Sequence, residues 1–501
     1  MTLVWLLVIP LVAGMLAWLA EHWSPRLPRW VSLAAASFGL FLTLVLWIRG
    51  RSAATAGATT VWLAEVDWKW VPRFGIHFHL GVDGLSLLML VLTFFLGIMS
   101  VLCSWTEIRD KIGFFHFNLM WMLAGIAGVF LALDLFLFYF AWELMLIPMY
   151  FLIAIWGHER RIYAAIKFLL FTQLSGLLML IAILALYFVH HQATGLYTFQ
   201  YGDLLGTPLS PQAEFWMLLG FVIAFAVKLP IVPLHAWLPD AHSEASTAGS
   251  VILAGLLLKT GAYGLLRFVV PLFPNASHEF TRFALVLAVV GIIYGAVMAF
   301  AQTDLKRLVA YTSVSHMGFV LLGIFSWSSF GLQGSIMTMI SHGLSTGALF
   351  VLVGALQERT HTRDMERMGG LWTTVPHLSG AALFFALASL GLPGLGDFVG
   401  EFLVLLGSYQ LSVGITVLAT LGILASTFYA LRMVQRVFHG ENAQRFQVPD
   451  LSPREALIVA PMIVALLWLG LYPQPILDTF APAMSNLQRQ ANLTAVLWEK
   501  R

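Results

Sequence analysis

The sequence predicts an all-α polytopic membrane protein of about fourteen transmembrane helices, built as two inverted five-helix repeats with broken helices at spans seven and twelve. Three observations carry this. Of 501 residues, 59% are hydrophobic and only 10% charged, against about 25% charged in an ordinary soluble domain. Most of the length falls in apolar runs of about 18 residues or more, each long enough to cross a bilayer as a helix. Two of these runs are interrupted, at Pro230/Pro233 and at GLPGLGDF (391–398). Non-helical backbone at membrane depth is stable only when buried in protein or lining a wet cavity.

In chain order the spans fall near 2–20, 30–48, 82–104, 113–132, 135–156, 163–189, 213–231, 247–270, 283–301, 305–326, 331–356, 376–410, 412–434 and 455–472. The opening MTLVWLLVIP lacks the positive flank of a cleaved signal, so it reads as an uncleaved first helix. The twelfth run is too long for one crossing and breaks at its glycine–proline cluster. Paired interruptions in corresponding halves point to a transporter made of inverted repeats. Spans 4–8 and 9–13 form two such units, and five helices per unit is odd, so the second is inverted. The expected divisions are 1–112 (three leading helices), 113–272, 273–437, and 438–501 (last helix and tail).

The longer polar connections are 49–81, 190–212, 357–375 and 435–454, and none has the length or composition of a soluble catalytic domain. Chemistry must therefore take place inside the membrane or on a partner. The single cysteine, Cys103, excludes an internal disulfide or a cysteine-held cluster. A net charge of +2 gives no basis for nucleic-acid binding. Lysine and arginine number fifteen in the odd-numbered loops, Lys306 among them, against eight on the other side. That bias puts the odd loops in the cytoplasm and both termini in the opposite compartment. The tail from Gln474 to Arg501 reads as an amphipathic surface helix anchored by Leu487, Leu493 and Leu497.

Ionisable groups inside apolar runs mark function by default, because a charge at mid-bilayer costs about 2.5–3.5 kcal/mol even on insertion scales. Seven stand out: Glu143, Lys228, His235, Lys259, His316, His342 and Glu401. Glu143 reads as a relay carboxylate or the partner of Lys228, with a packing carboxylate as the alternative. Lys228 borders the first break, whose freed carbonyls can solvate an ammonium. Lys259 sits deep in SVILAGLLLKTGAYGLLRF. His316 and His342 read equally as relays or as hydrogen-bonded packing. Asp134 and Asp397 read as helix caps. No His-x-x-x-His pair stands in the apolar runs to suggest a metal. Burial lowers a lysine's proton affinity and a nearby carboxylate restores it. Moving Glu143 toward or away from Lys228 therefore converts geometry into proton movement along Glu143, Lys228, Lys259, His316 or His342, and Glu401. Driving this uphill costs about 2.3 kcal/mol per charge per 100 mV. The chain carries no phosphate loop or cofactor motif, so it needs an ion gradient or a redox partner.

The segments FAVKLPIVPLHAWLPDAHSEASTAGSVILAGLLLKTGAYGLLRF, AQTDLKRLVAYTSVSHMGFV, SHGLSTGALF and GLPGLGDFVGEF resemble the antiporter-like subunits of respiratory complex I, the bacterial proton-translocating NADH–quinone oxidoreductase. WLLVIPLVAGMLAWLAE, HLGVDGLSLLML and ERTHTRDMERMGGLW resemble the M type in particular. The resemblance implies roles in proton translocation for Glu143, Lys228, Lys259 and Glu401, and for His235, His242, His316 and His342 as relay or water-organising groups. It implies a translocase subunit in the inner membrane, next to sister antiporter-like subunits and lipid. NAD, FMN, iron–sulfur clusters and quinone are expected in other subunits. The rival within the superfamily is a multisubunit cation/proton antiporter, which predicts sodium-dependent transport without NADH oxidation. A membrane-bound hydrogenase subunit is a further option. A purely structural scaffold predicts that neutralising Lys228, Lys259 or Glu143 is harmless.

Overall fold

A computed structural model describes residues 1–55 and 62–490. Among these, thirteen helices are long and apolar enough to cross a membrane: α1 (Thr2–Ala20), α2 (Leu27–Thr55), α3 (Gly84–Glu107), α4 (Ile112–Leu131), α5 (Leu135–Trp156), α6 (Arg161–Thr194), α7a (Pro211–Lys228), α8 (Thr247–Leu272), α9 (Pro274–Phe300), α10 (Leu305–Ile324), α11 (Ser329–Thr360), α13 (Val413–Phe438) and α14 (Pro453–Leu471). The fourteenth crossing is made in two pieces, α12a (Pro376–Ser389) and α12b (Gly396–Leu411). Both expected breaks are present. After α7a the chain turns through its prolines into the short helix α7b (Trp237–Glu244).

Seven of these helices begin at a polar side-chain cap that satisfies a first-turn amide. Asp83 accepts from Ser86 N at α3, and Ser452 and Glu455 form a reciprocal capping box at α14. Asp134 caps α5, accepting from the amides of Phe136 and Leu137. Helix α5 is irregular at Met145, between Leu135–Leu144 and Leu146–Trp156. Pro148 has no N–H to offer the Leu144 carbonyl, which loosens the turn just beyond Glu143.

The connection 49–81 departs from expectation, because a β-hairpin forms there. Strand β1 (Ala64–Val71) pairs antiparallel with β2 (Ile76–Val82). Trp68 stacks on Phe78 across the ladder, with ring centroids 5.7 Å apart. Gly75 closes the turn at φ +64°, where a Cβ would lie 2.0 Å from Tyr197 O. The tail forms α15 (Gln474–Gln490), which packs on α3 and buries Leu487. Leu493 and Leu497 lie outside the described residues.

The protein's interior is organised on α8 and α11, both buried along their apolar lengths. They cross at two glycines. A Cβ on Gly343 would meet Gly255 O at 3.0 Å, so only small residues permit this backbone approach. Two turns of α8, Leu253–Leu257 and Leu265–Val269, are π-helical. Such insertions cluster at functional positions.

Candidate functional site

Helix packing brings Lys259, His342, His316 and Glu401 into one line across four crossings. Lys259, fully buried, projects from α8 just past the first π-helical turn. Its Nζ donates to Ala254 O and, at 2.7 Å, to His342 Nδ1 on α11. The His342 ring meets the His316 ring of α10 edge to face, with centroids 5.3 Å apart. His316 Nδ1 then lies 2.6 Å from Glu401 Oε1 on α12b. Its Nε2 is held by Ser389 Oγ of α12a at 3.1 Å and by Tyr429 OH of α13 at 3.3 Å. Both histidines lie on this line, His342 next to Lys259 and His316 next to Glu401.

Glu143 and Lys228 form the second part. Lys228 is the last residue of α7a and is 1% exposed. Its Nζ has no hydrogen-bond partner and lies 5.3 Å from the Trp142 ring and 5.4 Å from the Phe168 ring. Aromatic faces are a weak substitute for a counter-ion. Glu143 is within electrostatic reach, but no ion pair closes to 4.0 Å, and its Oε1 has no hydrogen-bond partner. Backbone packing brings α7a to the central lysine. A Cβ on Gly261, two residues after Lys259, would lie 2.7 Å from Phe225 O and 2.8 Å from Leu229 N.

The remaining histidines stand apart. His235 lies in the break with its ring against Tyr294, centroids 5.0 Å apart. His242, on α7b, stacks on Phe350 of α11 at 4.7 Å, and neither ring nitrogen has a partner. Asp397 is not the cap expected from the sequence. Leu395 occupies the N-cap position, and the Asp397 side chain turns inward to accept from Ser345 Oγ at 3.0 Å.

Several buried charges went unselected by sequence reasoning. Arg267 of α8 pairs with Asp83 at the start of α3. Asp240 of α7b accepts from Lys167 of α6 at 2.7 Å and from Arg307 of α10 at 2.8 Å. The signal that selected Lys228 and Lys259, a cation inside an apolar run, is also present at Lys167 and Arg267 and could have found them. Lys306, expected as a loop cation, is buried and donates to Ala245 O at 3.0 Å and His158 Nε2 at 3.3 Å. Burial first, then Lys306 and Arg363, push the loop imidazole of His158 down to about 3. His158 therefore stays neutral and accepts from the lysine.

Residues 132–428 match the family model described as NADH:quinone oxidoreductase/Mrp antiporter, TM. NADH-quinone oxidoreductase subunit M of Escherichia coli (strain K12) is 55% identical over 498 residues, 98% of each chain. A chain of respiratory complex I from Thermus thermophilus superposes with a TM-score of 0.88 at 34% identity, covering 98% of this chain and 99% of that one. A chain of the Mrp complex from Dietzia sp. DQ12-45-1b shares the fold, with a TM-score of 0.80 at 20% identity and coverage of 98% and 99%. The chain belongs to the NADH:quinone oxidoreductase/Mrp antiporter membrane family, and within it to the subunit M group of the NADH-quinone oxidoreductases.

Proposed function

We propose that this chain is a proton-translocating membrane subunit of NADH–quinone oxidoreductase. In this reading protons move through its buried Glu, Lys and His groups, driven by electron transfer from NADH to quinone in partner subunits. The observation that carries the reading is the succession Lys259–His342–His316–Glu401, hydrogen-bonded at its two ends and bridged by the ring contact of the two histidines, in which each group can hold and release a proton. Lys259 gives a proton to His342 Nδ1 and becomes a neutral amine. Rotation of the His342 ring carries the proton toward His316, and His316 delivers it to the Glu401 carboxylate. Lys228 reloads Lys259 when Glu143 withdraws from it, because an unpaired buried ammonium is the less stable form. His235 and His242 flank this line and organise the polar break between α7a and α8.

The two five-helix repeats supply the geometry. Contacts of α5 with α6 and α6 with α7a recur as α10 with α11 and α11 with α12b, which supports the reading of two five-helix repeats. The translocase activity belongs to the assembly. NAD, FMN, iron–sulfur clusters and quinone are assigned to other subunits, and sister antiporter-like subunits, lipid and protons to this chain's surroundings. The lysine and arginine bias supports an inner-membrane orientation with odd loops cytoplasmic and both termini periplasmic.

The test uses the intact assembly carrying Glu143→Gln, reconstituted in sealed vesicles, with NADH–quinone turnover and proton uptake recorded together. Loss of uptake in an intact assembly is expected. Normal turnover and normal uptake would return Glu143 to a packing role. Sodium-dependent transport without NADH oxidation would favour the antiporter reading.

A further inference from the structure

Asp397 is 1% exposed, in the first turn of α12b. Only one of its oxygens is satisfied: Oδ1 accepts from Ser345 Oγ, while Oδ2 is shielded from solvent with no partner. A buried carboxylate oxygen left unpaired is costly, and inside a membrane such groups mark proton or ion pathways. Its position is specific. Asp397 and Glu401 are four residues apart on one helix, so their side chains share a face. Ser345 and His342 are three apart on α11 and do the same. The Asp397–Ser345 bond therefore docks α12b against α11 one turn from the point where Lys259 reaches His342.

The groups facing Asp397 come from every neighbouring crossing. They are Lys259 of α8, which acts on it across a gap wider than a 4.0 Å ion pair, His316 of α10, Ser345 of α11, and Glu401 on its own helix, with Tyr429 of α13 behind His316. Asp397 is the acid whose charge reaches Lys259.

We propose that Asp397 is a second proton-carrying acid of the central path, exchanging a proton with Lys259 and sharing it with Glu401 through His316. The step balances simply. A proton leaves the Lys259 ammonium for the Asp397 carboxylate, producing a neutral amine and a neutral acid. The acid then returns to carboxylate as His316 takes the proton on toward Glu401. This route runs beside His342 and rests on the proton-path reading above.

The test compares Asp397→Asn, Asp397→Glu, Ser345→Ala and Lys259→Ala in the intact assembly in sealed vesicles, measuring proton uptake per NADH oxidised across a pH series. Asp397→Asn keeps an acceptor for Ser345 but cannot carry a proton. It is expected to lose most of the uptake, Asp397→Glu to restore it with a displaced pH profile, and Ser345→Ala to retain it. Wild-type uptake and pH profile in Asp397→Asn would overturn the proposal, as would a Ser345→Ala defect equal to that of Asp397→Asn. If Asp397→Asn fails to assemble, Asp397→Glu decides: an unchanged profile overturns the proposal and a displaced one supports it. Lys259→Ala separates the two readings. If it too leaves uptake intact, the proton path itself fails. If it abolishes uptake while Asp397→Asn does not, only the role of Asp397 falls.

Discussion

At the scale of single residues, His316 is the best-fixed member of the site, held by Glu401 on one nitrogen and by Ser389 and Tyr429 on the other. His316→Ala and Glu401→Gln should each reduce proton uptake, and the double variant should be no worse than the poorer single one. The expected non-additivity is about 0.5–3 kcal/mol, as for residues in direct contact. Uptake in vesicles carrying the four proteins of the cycle measures it, and simple additivity would mean the pair acts as two separate groups. The Asp83–Arg267 pair has a structural part instead, tying α3 to α8. Arg267→Ala should cost about 3–5 kcal/mol of stability, because it leaves a buried carboxylate unpaired. Thermal unfolding of the solubilised assembly reads this, and replacing both partners with apolar residues should recover most of the loss. At this scale the sequence was informative where a charge stood alone in an apolar run, as at Glu143 and Lys259. It misled at Asp397, because an aspartate after a glycine-rich break looks like a cap whichever way its side chain turns. Lys306 reads as a loop cation because it lies only two residues from a loop, and burial there depends on His158 and Ala245, which come from the turns between α5 and α6 and between α7b and α8.

At the scale of elements, the contact between α8 and α11 sets the reach from Lys259 to His342. Gly343→Val should force the helices apart, since even a Cβ there meets Leu92 Cδ2 at 2.9 Å and Gly255 O at 3.0 Å. Uptake should fall while the other subunits remain bound, and co-purification checks the second point. Asp450, in the loop before α14, caps α12a by accepting from the amides of His377 and Leu378. Burial pushes its carboxyl up, but these bonds, one from Leu451 N and one from the His377 ring outweigh it and hold the group below the usual carboxylate range. A depressed acid stabilises the fold above its unfolded value and loses that contribution as pH falls through its folded value. Asp450→Ala should therefore cost about 1 kcal/mol at neutral pH. The difference in melting temperature from wild type should vanish only below about pH 4. The crossings and both breaks were legible because hydrocarbon-length runs and prolines are local signals. The hairpin was not, although AEVDWKWV alternates in polarity. Its pairing depends on Gly75 and on the distant Tyr197 backbone. The irregular turn at Met145 was equally hidden, since Pro148 reads as tolerable inside a membrane helix.

For the whole molecule, the buried groups join the two halves through α8, α10, α11 and α12b, which is why the inverted-repeat plan matters to function. The chain by itself has no source of energy in this account. In vesicles without its partner subunits it should therefore show no NADH-driven proton uptake, and restoring the full assembly should restore it. Lys259 is where the two halves meet, so it tests the account most directly. The decisive measurement is proton uptake during NADH–quinone turnover by the intact assembly carrying Lys259→Ala in sealed vesicles. The account predicts that uptake through this subunit is lost while the assembly remains complete. Uptake equal to wild type would contradict it and leave the buried charges as packing groups.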